Sequence, residues 1–172
     1  MKKIQANLFG HIISSNDAKA HGLNKKSYFG EKVGEKIQYS LTEALFLVEK
    51  GGMEVFSRKK NIAKKELFNK FRRFDKKIDL KYPVFKDLRS KGYILKTALK
   101  FGADFRVYDK GHKPGKKHAR WILFVEHESK KIPLHEFAAK NRVAHSTRKN
   151  LLLAIVDEEN KITYYEIRWI RA

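Results

Sequence analysis

Tyr108, His118 and Lys149 are the residues of this chain whose types suit a chemical reaction. A phenol, an imidazole and an ammonium group can together accept a proton, donate a proton and neutralise a developing anion. Breaking an RNA phosphodiester with its own 2′-hydroxyl requires those three capacities. Tyr108 ends a strand-like run, His118 ends a basic loop, and Lys149 precedes the apolar run Leu151–Val156.

Each of these residues also has a common structural role. A tyrosine at a strand end usually packs its ring, and single histidines and lysines are usually surface groups. The loop before His118 is either a solvated hairpin loop or a loop that contacts phosphate. Its four lysines are Lys110, Lys113, Lys116 and Lys117, and its turn residues are Gly111, Pro114 and Gly115. Residue types alone therefore do not select these three residues.

Other reaction chemistries have weaker support. The chain has no cysteine, which excludes disulfides, thiolate zinc sites and thiol nucleophiles. His112 and His118 have no carboxylate cluster near them in the sequence, and the neighbouring lysines repel a divalent cation. Ser146 and Thr147 follow His145 without a glycine-rich elbow, and no phosphate-binding P-loop motif is present. We predict no metal and no cofactor.

The charge of the chain indicates a polyanionic partner. Its 172 residues contain 39 Lys and Arg against 19 Asp and Glu, a net charge of +20, and 42% are hydrophobic, which is enough for a core. Counterion release favours binding of such a chain to nucleic acid, and a membrane surface is the weaker alternative. Because no signal peptide or membrane-spanning run is visible, we predict a cytoplasmic protein.

The N-terminal half mixes short strands and helices. Residues 4–14 read as one or two strands, and Met53–Phe56 as a short edge strand. Ser40-Leu41-Thr42-Glu43 is a capping box that predicts a helix over about 41–50. Asn61 is the predicted cap of a basic helix whose apolar face is Leu67, Phe71, Phe74 and Ile78. Pro83 is expected to end that pattern, with a new short helix from Val84 to Gly92.

The C-terminal half is predominantly strand. The predicted strands are Tyr93–Leu99, Asp104–Tyr108, Arg120–Glu126, Leu151–Val156 and Ile162–Ile170. A helix that begins near Pro133 is expected to present Leu134, Phe137, Ala138 and Asn141 on one face. We therefore predict an α+β fold. It has an N-terminal mixed α/β domain over residues 1–82 and a C-terminal catalytic domain over 83–172, a mixed sheet covered by that helix.

Three segments resemble the archaeal tRNA-splicing endonucleases. They are Phe101–Tyr108 with Lys117-His118-Ala119, Arg142–Lys149 with Leu151–Val156, and Tyr28-Phe29-Gly30 with Ser40–Leu45. The resemblance implies the restriction-endonuclease-like fold of that family in the C-terminal domain. It also implies an enzyme that excises introns from precursor tRNA at bulge-helix-bulge sites.

The resemblance assigns a role to each candidate residue. Tyr108 is the expected general base on the 2′-hydroxyl, His118 the general acid for the departing 5′-oxygen, and Lys149 the group that stabilises the pentavalent phosphate. The expected products are a 2′,3′-cyclic phosphate and a 5′-hydroxyl, formed without a metal. Arg142 and Arg168 are the expected RNA-binding residues that sandwich a flipped base, with Arg171 as the competitor for Arg168.

The resemblance also implies assembly of four units. The consecutive acids Asp157, Glu158 and Glu159 either form an assembly loop that inserts into a basic cleft of another unit or make an ordinary polar turn. Tyr165, Ile167 and Trp169 lie on one face of the predicted final strand, whose edge can pair with a second copy. We expect a homotetramer, or a catalytic subunit that needs a separate partner.

Three hypotheses of function follow from the sequence. The first is the RNA-cleaving enzyme just described, and the second is a non-enzymatic RNA-binding or structural subunit of such a complex. The third, a generic DNA- or ribosome-binding protein, explains the charge but not the three segments that resemble the tRNA-splicing endonucleases. The complete set of Tyr108, His118 and Lys149 favours the first, because a structural subunit does not need all three.

Overall fold

The computed structural model describes residues 3–172 and has a mixed α+β fold, which confirms the predicted class. Its helices are α1 (Ala18–Ser27), α2 (Leu41–Glu49), α3 (Lys64–Phe74), α4 (Ile78–Ser90) and α5 (Leu134–Ser146). Its strands are β1 (Ile4–Phe9), β2 (Ile12–Ser15), β3 (Glu31–Val33), β4 (Lys36–Tyr39), β5 (Met53–Ser57), β6 (Lys60–Asn61), β7 (Ile94–Ala98), β8 (Ala103–Tyr108), β9 (Trp121–His127), β10 (Asn150–Val156) and β11 (Ile162–Ile167). The chain divides into two compact units, with the boundary between Tyr82 and Pro83.

The N-terminal unit is built on a six-stranded sheet in the order β3-β4-β2-β1-β5-β6. β1 alternates buried and exposed residues, so one of its faces packs on the core and the other faces solvent. The predicted capping box of α2 is present. The Ser40 side chain accepts from the Glu43 backbone N–H, and the Glu43 carboxylate accepts from the Ser40 N–H.

Gly30 joins α1 to this sheet at the packing point predicted for Tyr28-Phe29-Gly30. Its N–H donates to the buried Glu43 carboxylate at 2.9 Å, and the preceding Phe29 ring stacks on Phe46 with centroids 5.7 Å apart. Gly30 has φ +71°. A Cβ at this position would lie 2.4 Å from Ile37 Cγ2, so only glycine fits without a shift of β4.

The C-terminal unit is built on a five-stranded sheet in the order β11-β10-β9-β8-β7. β8 pairs antiparallel to β7 and β9, whereas β9 and β10 pair in parallel. A parallel pair needs a crossover, and α5 provides it by returning the chain to the end of the sheet where β9 begins. β10 is buried on both faces, as the apolar run Leu151–Val156 predicts.

Helices cover both faces of this second sheet. On one face Phe85 of α4 packs against Phe105 of β8, and Asp87 accepts from the Tyr164 hydroxyl at 2.7 Å. On the other face Ala144 of α5 packs into a cluster with six sheet residues, which are Ala98, Ala103, Ile122, Phe124, Leu151 and Leu153. The central strands of the sheet are therefore held between two layers, whereas the edge strand β11 is partly exposed.

Several boundary predictions for the N-terminal unit are wrong. Asn61 does not cap α3, since the turn at Arg58–Lys59 folds β6 back so that Asn61 pairs with Phe56, and the helix begins after Ala63. β5 is not an edge strand, because it lies between β1 and β6. The predicted apolar face breaks at Phe74, where α3 ends with that ring 47% exposed.

Three further expectations also fail. α4 begins at Ile78 and continues through Pro83, because Ile78, Tyr82, Val84, Phe85 and Leu88 all bury their side chains and offset the lost hydrogen bond. The predicted face of α5 is not its buried one, since Leu134 and Ala138 are exposed and the helix packs through Val143 and Ala144. The final strand ends at Ile167, three residues before the predicted end.

We expect Gly30→Ala to lower the free energy of unfolding by about 1–3 kcal/mol more than Gly34→Ala, because both glycines have positive φ but only Gly30 faces a close contact. No atom lies within 4 Å of a Cβ built on Gly34. The strain of the left-handed backbone therefore cancels between the two variants. Chemical denaturation measures both, and equal losses would contradict the packing role of Gly30.

Candidate active site

The pairing of three strands fixes where the candidate residues lie. Val107 of β8 pairs with Trp121 of β9, and Trp121 pairs with Asn150 of β10. The ladder extends one step further, because the Arg120 N–H donates to the Val107 carbonyl at 2.9 Å and the Asn150 N–H donates to the Arg120 carbonyl at 3.0 Å. The end of β8 and the beginnings of β9 and β10 therefore share one end of the sheet.

This register brings Tyr108 and Lys149 to that end of the sheet. Tyr108 is the last residue of β8, and Lys149 is the residue before β10. They flank Arg120 across two strand spacings of about 4.8 Å each, so their backbones are about 10 Å apart. Tyr108 is 5% exposed, and its hydroxyl makes no hydrogen bond with any residue in the described range 3–172.

His118 approaches the same end through the loop that joins β8 to β9. An ion pair between Arg120 and Asp109, 2.9 Å from Nη1 to Oδ2, closes the base of this loop. That hydrogen bond holds the pKa of Asp109 below its ordinary value, so the pair stays charged at neutral pH. His118 lies two residues before Arg120 and is exposed. The closed loop base fixes the backbone two residues after His118 beside the end of β8.

A Schellman motif at the end of α5 positions Lys149. The Lys149 N–H donates to the Ala144 carbonyl, and the Arg148 N–H donates to the His145 carbonyl, both at 2.9 Å. Arg148 takes the left-handed conformation that this motif requires, with φ +56°. The Lys149 ammonium then donates to the Thr147 carbonyl at 2.8 Å. A rigid backbone turn therefore sets the position of Lys149 before β10 begins.

Two further cations lie near Lys149. Burial lowers the pKa of Lys149, and the positive charges of Arg106 and Lys100 lower it further. Like charges in a partly buried place repel, and an anion bound among them relieves that repulsion. The arrangement therefore suits a phosphate group. The sequence interpretation missed Arg106 and Lys100, although Arg106 is two residues before Tyr108 in β8 and so shares its face.

The candidate RNA-binding arginines differ in their surroundings. Arg142 is exposed on α5, seven residues before Lys149 in the sequence, and makes no ion pair within residues 3–172. Arg168 follows β11 at the sheet end that carries Lys149, and it is bound to Glu166, with 2.6 Å from Nε to Oε1. Arg171 lies in the exposed segment after β11. The structure thus leaves Arg142 accessible, whereas Arg168 has a carboxylate partner.

The acidic segment Asp157–Glu159 is not part of this site within one chain. It joins β10 to β11 at the opposite end of the sheet. The Asp157 carboxylate accepts from the backbone N–H groups of Glu159 and Lys161, which makes it a turn-forming residue. Glu159 pairs with the Lys161 ammonium, while the Glu158 side chain is exposed. The three acids therefore have different surroundings.

No group of three or more His, Cys, Asp or Glu side chains able to hold a metal ion occurs within residues 3–172. In the same residues, no helix combines the length and apolar character needed to cross a bilayer.

Comparison with known proteins identifies the family. Residues 4–68 match the family described as tRNA intron endonuclease, N-terminal domain, and residues 78–164 match tRNA intron endonuclease, catalytic C-terminal domain. The two matches describe a two-domain endonuclease whose catalytic domain contains the sheet end and the three residues described above.

Curated relatives match over nearly the whole chain. The tRNA-splicing endonuclease of Pyrococcus abyssi is 43% identical over 173 residues, which cover 99% of both chains. That of Thermococcus kodakarensis is 42% identical over 165 residues, 95% of this chain and 96% of the relative. That of Nanoarchaeum equitans is 43% identical over 148 residues, 82% of this chain and 95% of the relative. The chain belongs to the tRNA intron endonuclease family, which confirms the family predicted from the sequence.

The lowered pKa of Lys149 predicts how its replacement changes stability with pH. The charged form is disfavoured in the folded state, so the wild type carries a penalty below the pKa of Lys149 and loses it as pH rises towards 10.5, the ordinary lysine value. Lys149→Met has no such penalty at any pH. We therefore expect the unfolding free energy of the wild type, relative to Lys149→Met, to rise between neutral and alkaline pH.

Denaturant unfolding at several pH values measures this difference. Lys131→Met is the matched control, because Lys131 is exposed in the same unit. The unfolding free energy of the wild type relative to Lys131→Met should not change over the same pH range. A relative stability that falls with pH would mean that the folded state stabilises the charge of Lys149, contrary to the cationic cluster.

Proposed function

We propose that this protein is an endoribonuclease that excises introns from precursor tRNA at bulge-helix-bulge sites in the cytoplasm. The strand register that places Tyr108, the His118 loop and Lys149 at one end of the C-terminal sheet is the observation that supports this most directly. Family membership supports the tRNA-intron substrate class. The net charge of +20 suits an RNA partner.

The proposed reaction is an internal transesterification. Tyr108 removes the proton from the 2′-hydroxyl of the nucleotide before the cut, and this oxygen attacks the adjacent phosphorus. The bond from phosphorus to the 5′-oxygen of the next nucleotide breaks, and His118 gives that oxygen a proton. A 2′,3′-cyclic phosphate and a 5′-hydroxyl result. No water is consumed, and side chains carry all proton and charge roles, so the reaction requires no metal.

Lys149 is the group best suited to the pentavalent phosphate. Its ammonium is held by the Schellman turn and the Thr147 carbonyl, so little reorganisation is needed when negative charge develops. Arg106 and Lys100 add positive potential at the same place. The cluster thus supports stabilisation of the charged phosphate.

Arg142 is the stronger candidate for stacking on a flipped base. Its guanidinium is exposed on α5 and has no ion pair within the described residues, so it can lie flat against a base. Arg168 must first leave Glu166, or bind RNA while still paired with it. We propose that both contact the bulge, with Arg142 contributing more to affinity.

The alternative is a non-enzymatic RNA-binding or structural subunit. Such a protein needs the fold and the charge. It does not need a tyrosine without a hydrogen-bond partner among residues 3–172, a histidine in the loop that follows the same strand and a lysine held by a rigid turn. The joint presence of these three groups at one sheet end therefore favours the enzyme.

We expect His118→Ala to lower the single-turnover cleavage rate of a precursor tRNA by about 10²–10⁴-fold, because it removes the proton donor for the 5′-oxygen. Lys149→Ala should lower the same cleavage rate by about 10²–10³-fold, because it removes charge stabilisation of the phosphate. RNA binding should stay within a few-fold in both variants. Full activity in both would overturn the assignment of these residues.

His112→Ala is the matched control, because His112 is another exposed histidine of the same loop. Its rate should stay within a few-fold of wild type. An RNA with 2′-deoxyribose at each cut should resist cleavage, since it lacks the attacking hydroxyl, and EDTA should leave the rate unchanged. Cleavage of the deoxy substrate would exclude the cyclising mechanism.

We further propose that the enzyme assembles as a homotetramer, with Asp157–Glu159 as the assembly loop. The segment lies at the far end of the sheet from the candidate active site, so it is available to another copy. Asp157 shapes the turn, whereas Glu158 points its charge to solvent and Glu159 pairs with Lys161. A basic surface on a second copy provides the complementary charge. Glu158 is therefore expected to contribute most.

Glu158→Lys should lower the mass of the assembly measured by light scattering, because it places a positive charge against a basic cleft. Asp157 is kept intact in this test so that the turn itself does not change. Glu35→Lys, a charge reversal at an exposed turn of the N-terminal unit, is the control and should leave the mass unchanged. An unchanged mass in Glu158→Lys would indicate an ordinary polar turn.

A further inference from the structure

Basic and aromatic side chains converge at one edge of the N-terminal unit, far along the chain from the candidate active site. A depression of about 200 Å³ is lined there by residues of β1, the turn after it, β5 and α3. Its lining residues are Leu8, Gly10, Ser57, Lys70, Arg73 and Phe74. The turn Arg58–Lys59 continues directly from Ser57. We call these residues, with Phe9 and His11, the N-terminal basic edge.

The cations of this edge are available to a ligand. Arg72 is fully engaged, since three hydrogen bonds join its guanidinium to Asp79. Its neighbour Arg73, which lines the depression, makes no ion pair or hydrogen bond within residues 3–172. Lys70 has only a 3.7 Å contact with the exposed Glu66. The depression is therefore lined by positive charge that no carboxylate of the described residues neutralises closely.

The turn between β5 and β6 holds two more cations in an unusual backbone. Arg58 has φ +48° and Lys59 has φ +68°, as a type I′ turn requires at both central residues. Asparagine and glycine are the usual residues there, because a larger side chain costs about 1–2 kcal/mol per residue in the left-handed conformation. Two consecutive basic residues in this turn are thus not explained by the local fold. Backbone strain of this kind is often associated with a functional site.

Two aromatic rings of this edge are exposed. Phe9 is 88% exposed at the end of β1, and Phe74 is 47% exposed at the end of α3. The His11 ring meets the Phe74 ring edge-on, with centroids 6.3 Å apart. Exposed rings next to positive charge are the combination with which proteins bind single-stranded nucleic acid, by stacking on bases and contacting phosphates.

Charge selects among possible occupants of this edge. Binding of this edge to the same edge of a second copy is disfavoured, because the cations of the two edges would repel each other. Residues 57–77 carry ten Lys and Arg against two acids, so an anionic partner is favoured. The exposed rings favour a partner that offers flat bases as well as phosphates. RNA has both features.

We propose that the N-terminal basic edge is a second RNA-binding site, which takes an unpaired stretch of the RNA substrate outside the cut sites. Arg58, Lys59, Lys70 and Arg73 contact phosphates, with one phosphate in the depression, and Phe9 and Phe74 stack on bases. The identity of this RNA as precursor tRNA rests on the proposed function. The role of the site is affinity and placement of the substrate, not the chemical step.

The test measures binding of a precursor tRNA that carries 2′-deoxyribose at its cut sites, over a range of salt concentrations. Arg58→Glu with Arg73→Glu should weaken binding at least tenfold and reduce the magnitude of the slope of log K against log salt by about 1.4, since each lost phosphate contact on a single strand removes about 0.7. Phe9→Ala should weaken binding several-fold without changing that slope, because stacking releases no counterions.

Lys32→Glu with Lys36→Glu is the matched control. It makes the same charge change at β3 and β4, the opposite edge of the same sheet, and should weaken binding less than threefold. Equal losses in the two double variants would overturn the proposal, since long-range charge alone would explain them. A changed assembly mass in Arg58→Glu with Arg73→Glu would also overturn it, in favour of an interface between copies.

Single-turnover cleavage at saturating enzyme separates this proposal from the proposed function. The double variant should cleave at the wild-type rate once all the RNA is bound. A wild-type protein that binds the RNA but never cuts the ribose form would refute the endonuclease, while the binding comparison would still decide the role of this edge.

Discussion

The candidate active site depends on the hydrogen-bond ladder that joins β8, β9 and β10 at one end of the C-terminal sheet. The bonds from Arg120 to Val107 and from Asn150 to Arg120 set this register. A slip of one residue would turn every side chain of a strand to the opposite face. Because both sheet faces are covered by helices, the buried side chains of β9 and β10 do not permit such a slip. The same burial that stabilises the sheet therefore fixes Tyr108 and Lys149.

The electrostatics of the site follow from this geometry. Lys149 is brought beside Arg106 and Lys100, and their repulsion together with burial disfavours its charged form. A bound anion would relieve that repulsion. Arg120 does not add to this excess positive charge, since it is paired with Asp109 and Glu166. Carboxylates therefore neutralise Arg120 at the base of the loop, whereas Lys149 lies in the positive field of Arg106 and Lys100.

The sequence predicted much of the C-terminal unit, because its strands are long apolar runs. It also predicted α2 of the N-terminal unit, because the Ser40–Glu43 capping box is a local signal. The sequence-based prediction failed where an unexpected turn or tertiary packing decides the outcome. Asn61 lies in β6 because a left-handed turn at two basic residues folds it back, and Pro83 lies within α4 because five buried side chains stabilise that helix. Helix α1 has little periodic signal, since it buries only Ala20. For the site, residue types suggested the chemistry, the family resemblance selected the three residues, and only the fold showed Arg106 and Lys100 beside Lys149.

The central claim is that this protein, without a different subunit or a metal, cuts RNA through the 2′-hydroxyl of the RNA itself. The most direct measurement is to incubate the purified protein alone, in EDTA, with a bulge-helix-bulge RNA and to identify the chemical ends of the fragments. The account predicts two cuts, each with a 2′,3′-cyclic phosphate on the upstream fragment and a 5′-hydroxyl on the downstream one. Fragments with a 3′-hydroxyl and a 5′-phosphate, or no cleavage until another subunit is added, would contradict it.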